Sequence, residues 1–94
     1  MGFFKQWRER RRVYDEGQVL HALRMLRPEQ ASGFPIHRLA QISPGRVYVA
    51  LIRLQRRGVI VGWQEPQPWC KSEFRPRRRL YRIVEEDAVS EAGR

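Results

Sequence analysis

The sequence predicts a small, mainly helical α+β domain: three core helices, an extra helical segment before them, and a two-stranded hairpin after them. Three observations predict it. Apolar residues recur at helical spacing over residues 19–26 and again over 47–54. Ser43-Pro44 and Gly58 bracket the second of these stretches as a start and a stop. Two short β-prone runs, around Val59–Glu65 and Arg78–Val84, flank a polar loop that contains proline.

Each element follows from local chemistry. Phe3 to Arg12 suits a short helix, with Phe3, Phe4 and Trp7 on one side and Arg8, Arg10, Arg11 and Arg12 spread round the rest. Asp15 to Arg27 reads as an amphipathic helix on Val19, Leu20, Leu23 and Leu26, with Met25 partly on the stripe. Asp15 and Glu16 near its start and Arg24 and Arg27 near its end match the helix dipole, and Pro28 ends it. Glu29 to Gly33 is a connection. Pro35 then sits in the first turn of a second, short helix with Ile36, Leu39 and Ala40 as its inner face.

The third helix has the clearest boundaries. Ser43 supplies an N-cap hydroxyl and Pro44 the first helical position. The helix runs to about Arg57 and stops at Gly58, a residue suited to the left-handed C-terminal position. Val47, Ala50, Leu51 and Leu54 form its core stripe. The chain thus divides into an N-terminal basic and aromatic helical extension (1–13), a folded domain (14–85) and an acidic tail expected to be disordered (86–94).

Charge narrows the function. The 94 residues carry a net charge of +9, but the excess is uneven. Through Arg82 there are eighteen Lys and Arg against six Asp and Glu; beyond it, four acids face Arg94 alone. Seventeen of the nineteen bases are Arg, whose planar fork binds phosphates and base edges through two donors at once. A polyanion is the expected partner. A membrane surface is not, since no segment pairs a broad apolar stripe with a basic face. No signal peptide or membrane-spanning segment is expected, which predicts a cytoplasmic, nucleoid-associated protein.

Catalytic and metal chemistry find little support. Cys70 is the single cysteine, so no intramolecular disulfide or cysteine-based zinc site is expected. His21 and His37 have no nucleophile or carboxylate at a meaningful spacing, and structural roles suit them better. No enzyme activity, metal or cofactor is expected. Trp63 reads as core at the base of the hairpin, whereas Trp69 and Phe74 in the loop are available for stacking on bases or for capping the small core.

Three helices followed by a hairpin is the order of a winged helix-turn-helix. Ser43 to Ile60, SPGRVYVALIRLQRRGVI, resembles the third-helix signature of PadR-type regulators: a small residue, Gly, an apolar residue, Tyr, two Leu, and a Gly before an apolar pair. Ser32-Gly33-Phe34-Pro35-Ile36 resembles that family's entry to the second helix. Trp63-Gln64-Glu65 and Arg77 to Ile83 resemble its wing strands. The resemblance covers roughly residues 17–85 and implies a bacterial, usually dimeric, DNA-binding transcription regulator; the small size also suits a phage or plasmid regulator. The chain departs from the family at its end, where ten mostly polar residues stand in place of a dimerisation helix. No small-molecule effector is therefore expected.

The expected role is a repressor of transcription that reads duplex DNA. Helix 44–57 enters the major groove and the 66–79 wing meets the backbone or minor groove. The expected contacts are Ser43, Gly45, Arg46, Tyr48, Val49, Arg53 and Arg56 on the helix, and Lys71, Arg75, Arg77, Arg78 and Arg79 on the wing. Arg46 and Arg53 suit guanine, and Val49 suits a thymine methyl. Tyr48 serves either a phosphate or the edge of the core. A homodimer is expected at least on DNA, joined through Phe3, Phe4 and Trp7. The alternatives are an architectural or excisionase-like protein that bends DNA, and a winged helix that docks protein through Val49, Ile52 and Trp69.

Overall fold

In a computed structural model of the chain, residues 2–66 and 76–84 are described, the side chains of Gly2 and Phe3 excepted. Helix α1 spans Gly2–Met25, α2 Gly33–Ala40 and α3 Pro44–Arg56, with a 3-10 turn at Pro28–Gln30 between α1 and α2. Strands β1 (Ile60–Gln64) and β2 (Arg79–Ile83) pair antiparallel, with Ile60 opposite Ile83 and Gln64 opposite Arg79. The fold is therefore α+β and mainly α.

The main departure from expectation is at the N-terminus. The segments read as two helices, 3–12 and 15–27, are one continuous helix of 24 residues. No proline interrupts residues 2–25, and the single interior glycine, Gly17, costs about 1 kcal/mol, which packing of the following turns offsets. Asp15 and Glu16 are thus interior residues of α1. Their proposed role at a helix start is wrong, and both are buried. The helix ends at Met25, two residues earlier than expected.

Helix α2 begins at Gly33 after Ser32, whose side chain makes no capping bond. Ile36 and Ala40 are buried as expected, but Leu39 is 40% exposed and does not belong to the inner face. A three-residue turn, Gln41 to Ser43, leads into α3. Gln41 takes a left-handed conformation with φ 57°. His37 donates from Nδ1 to the Ile42 carbonyl oxygen at 2.7 Å and so braces the turn. Ser43 Oγ accepts from the Arg46 N–H at 3.3 Å, the expected cap.

Val47, Ala50, Leu51 and Leu54 of α3 are all buried. They meet Val19, Ala22 and Leu23 of α1, Ile36 and Ala40 of α2, Ile60 of β1 and Tyr81 of β2 in one core. Each large side chain there contributes about 1.5–3 kcal/mol by leaving water. Gly58, at φ 74°, ends α3 and turns the chain into β1. The hairpin is fastened to the helices by Tyr81 N–H donating to the Ala31 carbonyl at 2.9 Å. Trp63, expected as core, is half-buried, with the Arg82 guanidinium 5.8 Å from its ring centroid.

Candidate nucleic-acid interface

Two faces of α3 have opposite chemistry. Gly45, Tyr48, Val49, Ile52, Arg53 and Arg56 recur at spacings of three and four residues, which stacks them along one side of the helix. All but the half-buried Ile52 are exposed. This row lies opposite the buried Val47–Leu54 stripe, so core packing itself turns it outward. Ser43 and Pro44 fix where the row starts.

The four arginines of this region divide into two kinds. Arg46 points sideways to α1, where its Nε donates to Asp15 Oδ2 at 3.0 Å and its Nη2 to Asp15 Oδ1. The hydrogen bond to Asp15 raises the Arg46 pKa further above its usual value. Arg57 reaches the next residue of α1, with Nη2 2.6 Å from Glu16 Oε1. Arg53 and Arg56, by contrast, are exposed and have no carboxylate partner among the described residues. Arg46 was expected to address a guanine; its fork is instead occupied by Asp15.

The arginines at the start of β2 are also partly engaged. Glu65 is buried and organises the run that follows the loop. Arg77 Nε donates to the Glu65 carbonyl oxygen at 2.8 Å. The Arg78 N–H donates to Glu65 Oε1 at 3.3 Å, and Arg78 Nη2 lies 3.7 Å from Glu65 Oε2. Arg79 lies across the sheet, its guanidinium 5.9 Å from the Tyr81 ring centroid and over Gly62, where a Cβ would stand 3.0 Å from Nη2. Arg77 and Arg79 remain exposed while held this way, so the contacts orient them without enclosing them. Lys71 and Arg75, with Trp69, Cys70 and Phe74, lie outside the described residues.

A cleft of about 600 Å³ separates the start of α2 from the hairpin. Its walls include Phe34, Pro35, Tyr48, Leu51, Arg79 and Tyr81. Phe34 and Tyr48 are both well exposed. Tyr48 therefore stands on the open face and not at the edge of the core.

Sequence reasoning missed Asp15, Glu16 and Glu65. Each acid has arginines close by in sequence or on a neighbouring segment, but its pairing spans ten or more residues. The one usable signal was an acid placed on an otherwise apolar stripe, as Asp15 and Glu16 are beside Val19 and Leu23. Phe4 and Trp7, expected to join two copies, are exposed on the first turns of α1; the Phe3 side chain is outside the description. No helix among the described residues is long and apolar enough to cross a membrane, and no three His, Cys, Asp or Glu among them cluster as a metal site. No family model, curated protein or solved structure matches this chain.

Proposed function

We propose that the chain is a winged helix-turn-helix that binds duplex DNA in a sequence-dependent way and regulates transcription, by repression. The observation that carries this reading is the outward row of α3. Arg53 and Arg56 are exposed there and unpaired among the described residues, while the neighbouring Arg46 and Arg57 are spent on fixing the helix to α1. A helix held at both ends, with exposed guanidinium groups on its outer side, fits recognition in the major groove.

Several features support the same arrangement. The turn between α2 and α3 has the three-residue length of a helix-turn-helix. Arg79 lines the cleft that Tyr48 of the row also lines, and Arg77 and Arg79 would grip phosphates. Gly45, at the start of α3, would let the backbone approach closely, and Ser43 would present its hydroxyl to the phosphates. Tyr48 would donate to a phosphate and Val49 would meet a thymine methyl. A palindromic site would seat two copies about one helical turn apart. Selecting bound sequences from a random duplex pool tests the reading: recovery of a common motif is expected, and failure to enrich any motif overturns it.

A second reading has its own observation. Phe34 and Tyr48 are large and exposed and line the apolar cleft, and Val49, next to Tyr48 in sequence, is exposed as well. Such a surface fits a protein partner. Duplex binding that is absent even at low salt would favour it.

A further inference from the structure

We infer that the N-terminal half of α1 is a second seat for the phosphodiester backbone of duplex DNA, beside the stretch addressed by α3. The inference rests on the duplex-binding reading above and adds an element that reading does not use. Buried residues of α1 begin at Asp15; from Phe4 to Tyr14 none is buried. About 16 Å of helix therefore stands clear of the core. An isolated helix of that length is marginal in water, so a surface that covers it would stabilise it.

The chemistry of this stretch selects the occupant. It carries Lys5, Arg8, Arg10, Arg11 and Arg12 against Glu9 alone. Arg12 pairs with Glu9 at 2.8 Å. Lys5, Arg8, Arg10 and Arg11 have no carboxylate partner among the described residues. Trp7, Arg10, Arg11 and Tyr14 form one open shelf, which continues onto Arg46 at the first turn of α3. The Arg11 guanidinium lies 5.4 Å from the Trp7 ring centroid. Trp7 and Tyr14 are 53% and 55% exposed, so an indole N–H and a phenol O–H stand beside the guanidinium donors.

Phosphate oxygens accept from all of these groups. Because Arg46 joins the shelf to α3, one duplex lying on the outer row of α3 would run on past the shelf. A second copy of the chain is the rival occupant, through Phe4 and Trp7. Apposing two shelves sets Arg10 and Arg11 of one copy near those of the other, a like-charge arrangement that costs free energy unless an anion lies between them. The charge fits the polyanion.

The test compares the full chain with a double variant, Arg10→Gln/Arg11→Gln, on a synthetic duplex carrying a bound site and flanks of different lengths. Both substituted residues are exposed, and circular dichroism checks that helix content is unchanged. The expected result is a log–log salt slope lower by about 1–2, since each neutralised phosphate contributes about 0.9. Trimming about half a helical turn of flank should weaken the full chain and leave the variant unchanged. An unaltered slope with unaltered flank dependence overturns the inference. So does an unaltered slope with one more copy of the protein gained on the duplex in light scattering, since removing the like charges favours two apposed shelves and assigns them to a second copy. If the unsubstituted chain binds no duplex at low salt, the duplex-binding reading itself fails; if it binds and the variant matches it, that reading stands and this one falls.

Discussion

Asp15 of α1 holds the Arg46 guanidinium of α3 through both carboxylate oxygens, with Nε to Oδ2 at 3.0 Å. One residue on, Glu16 holds Arg57 at the other end of α3. Two adjacent acids thus clamp both ends of one helix, while Arg53 and Arg56 between them have no carboxylate partner among the described residues. The pairs differ in their surroundings: the Asp15 side chain is 10% exposed and Arg46 32%, whereas Arg57 is about half exposed. The Asp15–Arg46 pair is therefore less screened by solvent and is the stronger of the two.

The first prediction concerns this clamp. Arg46→Ala leaves the buried Asp15 carboxylate without its partner and should cost on the order of 1–3 kcal/mol of stability. Denaturant unfolding of Arg46→Ala, Asp15→Asn and the double variant measures the coupling, expected at about 1 kcal/mol. Strictly additive losses would show that the pair contributes nothing beyond its two separate side chains.

Arg53→Ala and Arg56→Ala should behave in the opposite way. Both residues are exposed, so unfolding should change by less than about 0.5 kcal/mol. Loss of either should weaken binding to a selected duplex by about 1–3 kcal/mol, with a smaller loss on random DNA. Equal losses on both duplexes would confine these residues to phosphate contact.

Glu65 anchors the run that leads into β2, and its removal should be felt there. Glu65→Ala strips the partner from the Arg78 N–H and frees the Arg78 guanidinium, at an expected cost of about 1–3 kcal/mol. If Arg77 and Arg79 grip phosphates from the geometry described, the variant should also bind duplex more weakly on every sequence. A destabilised variant with unchanged affinity, measured well below its unfolding midpoint, would remove the wing from the interface.

Two backbone positions should respond with opposite signs. Gly58 has φ 74° and open space around its Cα, so Gly58→Ala meets no clash and its cost is conformational, about 1–2 kcal/mol. Gln41 occupies the same left-handed region without being glycine, at φ 57°. Gln41→Gly should therefore be neutral or stabilising by up to about 1 kcal/mol. Thermal unfolding of the two variants checks the pair; a stabilising Gly58→Ala would contradict the conformation assigned here.

Local chemistry in the sequence determined α3, its cap at Ser43, its stop at Gly58, its buried stripe and the two paired strands, because each depends on neighbours within a turn or along one strand. The outward row of α3 was legible for the same reason: once Val47, Leu51 and Leu54 face inward, helical spacing sends Arg53 and Arg56 out. The break expected near Val13 was not real, since an acid pair looks alike at a helix start and on a helix interior. Only the tertiary structure decided that Asp15 and Glu16 face α3, because that depends on which side of α1 the core claims. It likewise decided that Arg46 is a clamp while Arg53 stands exposed without a carboxylate partner among the described residues, and that Glu65 collects the arginines across the hairpin. Charge counts in a sequence are sums, whereas pairing is set by distances that exist only once the helices have packed.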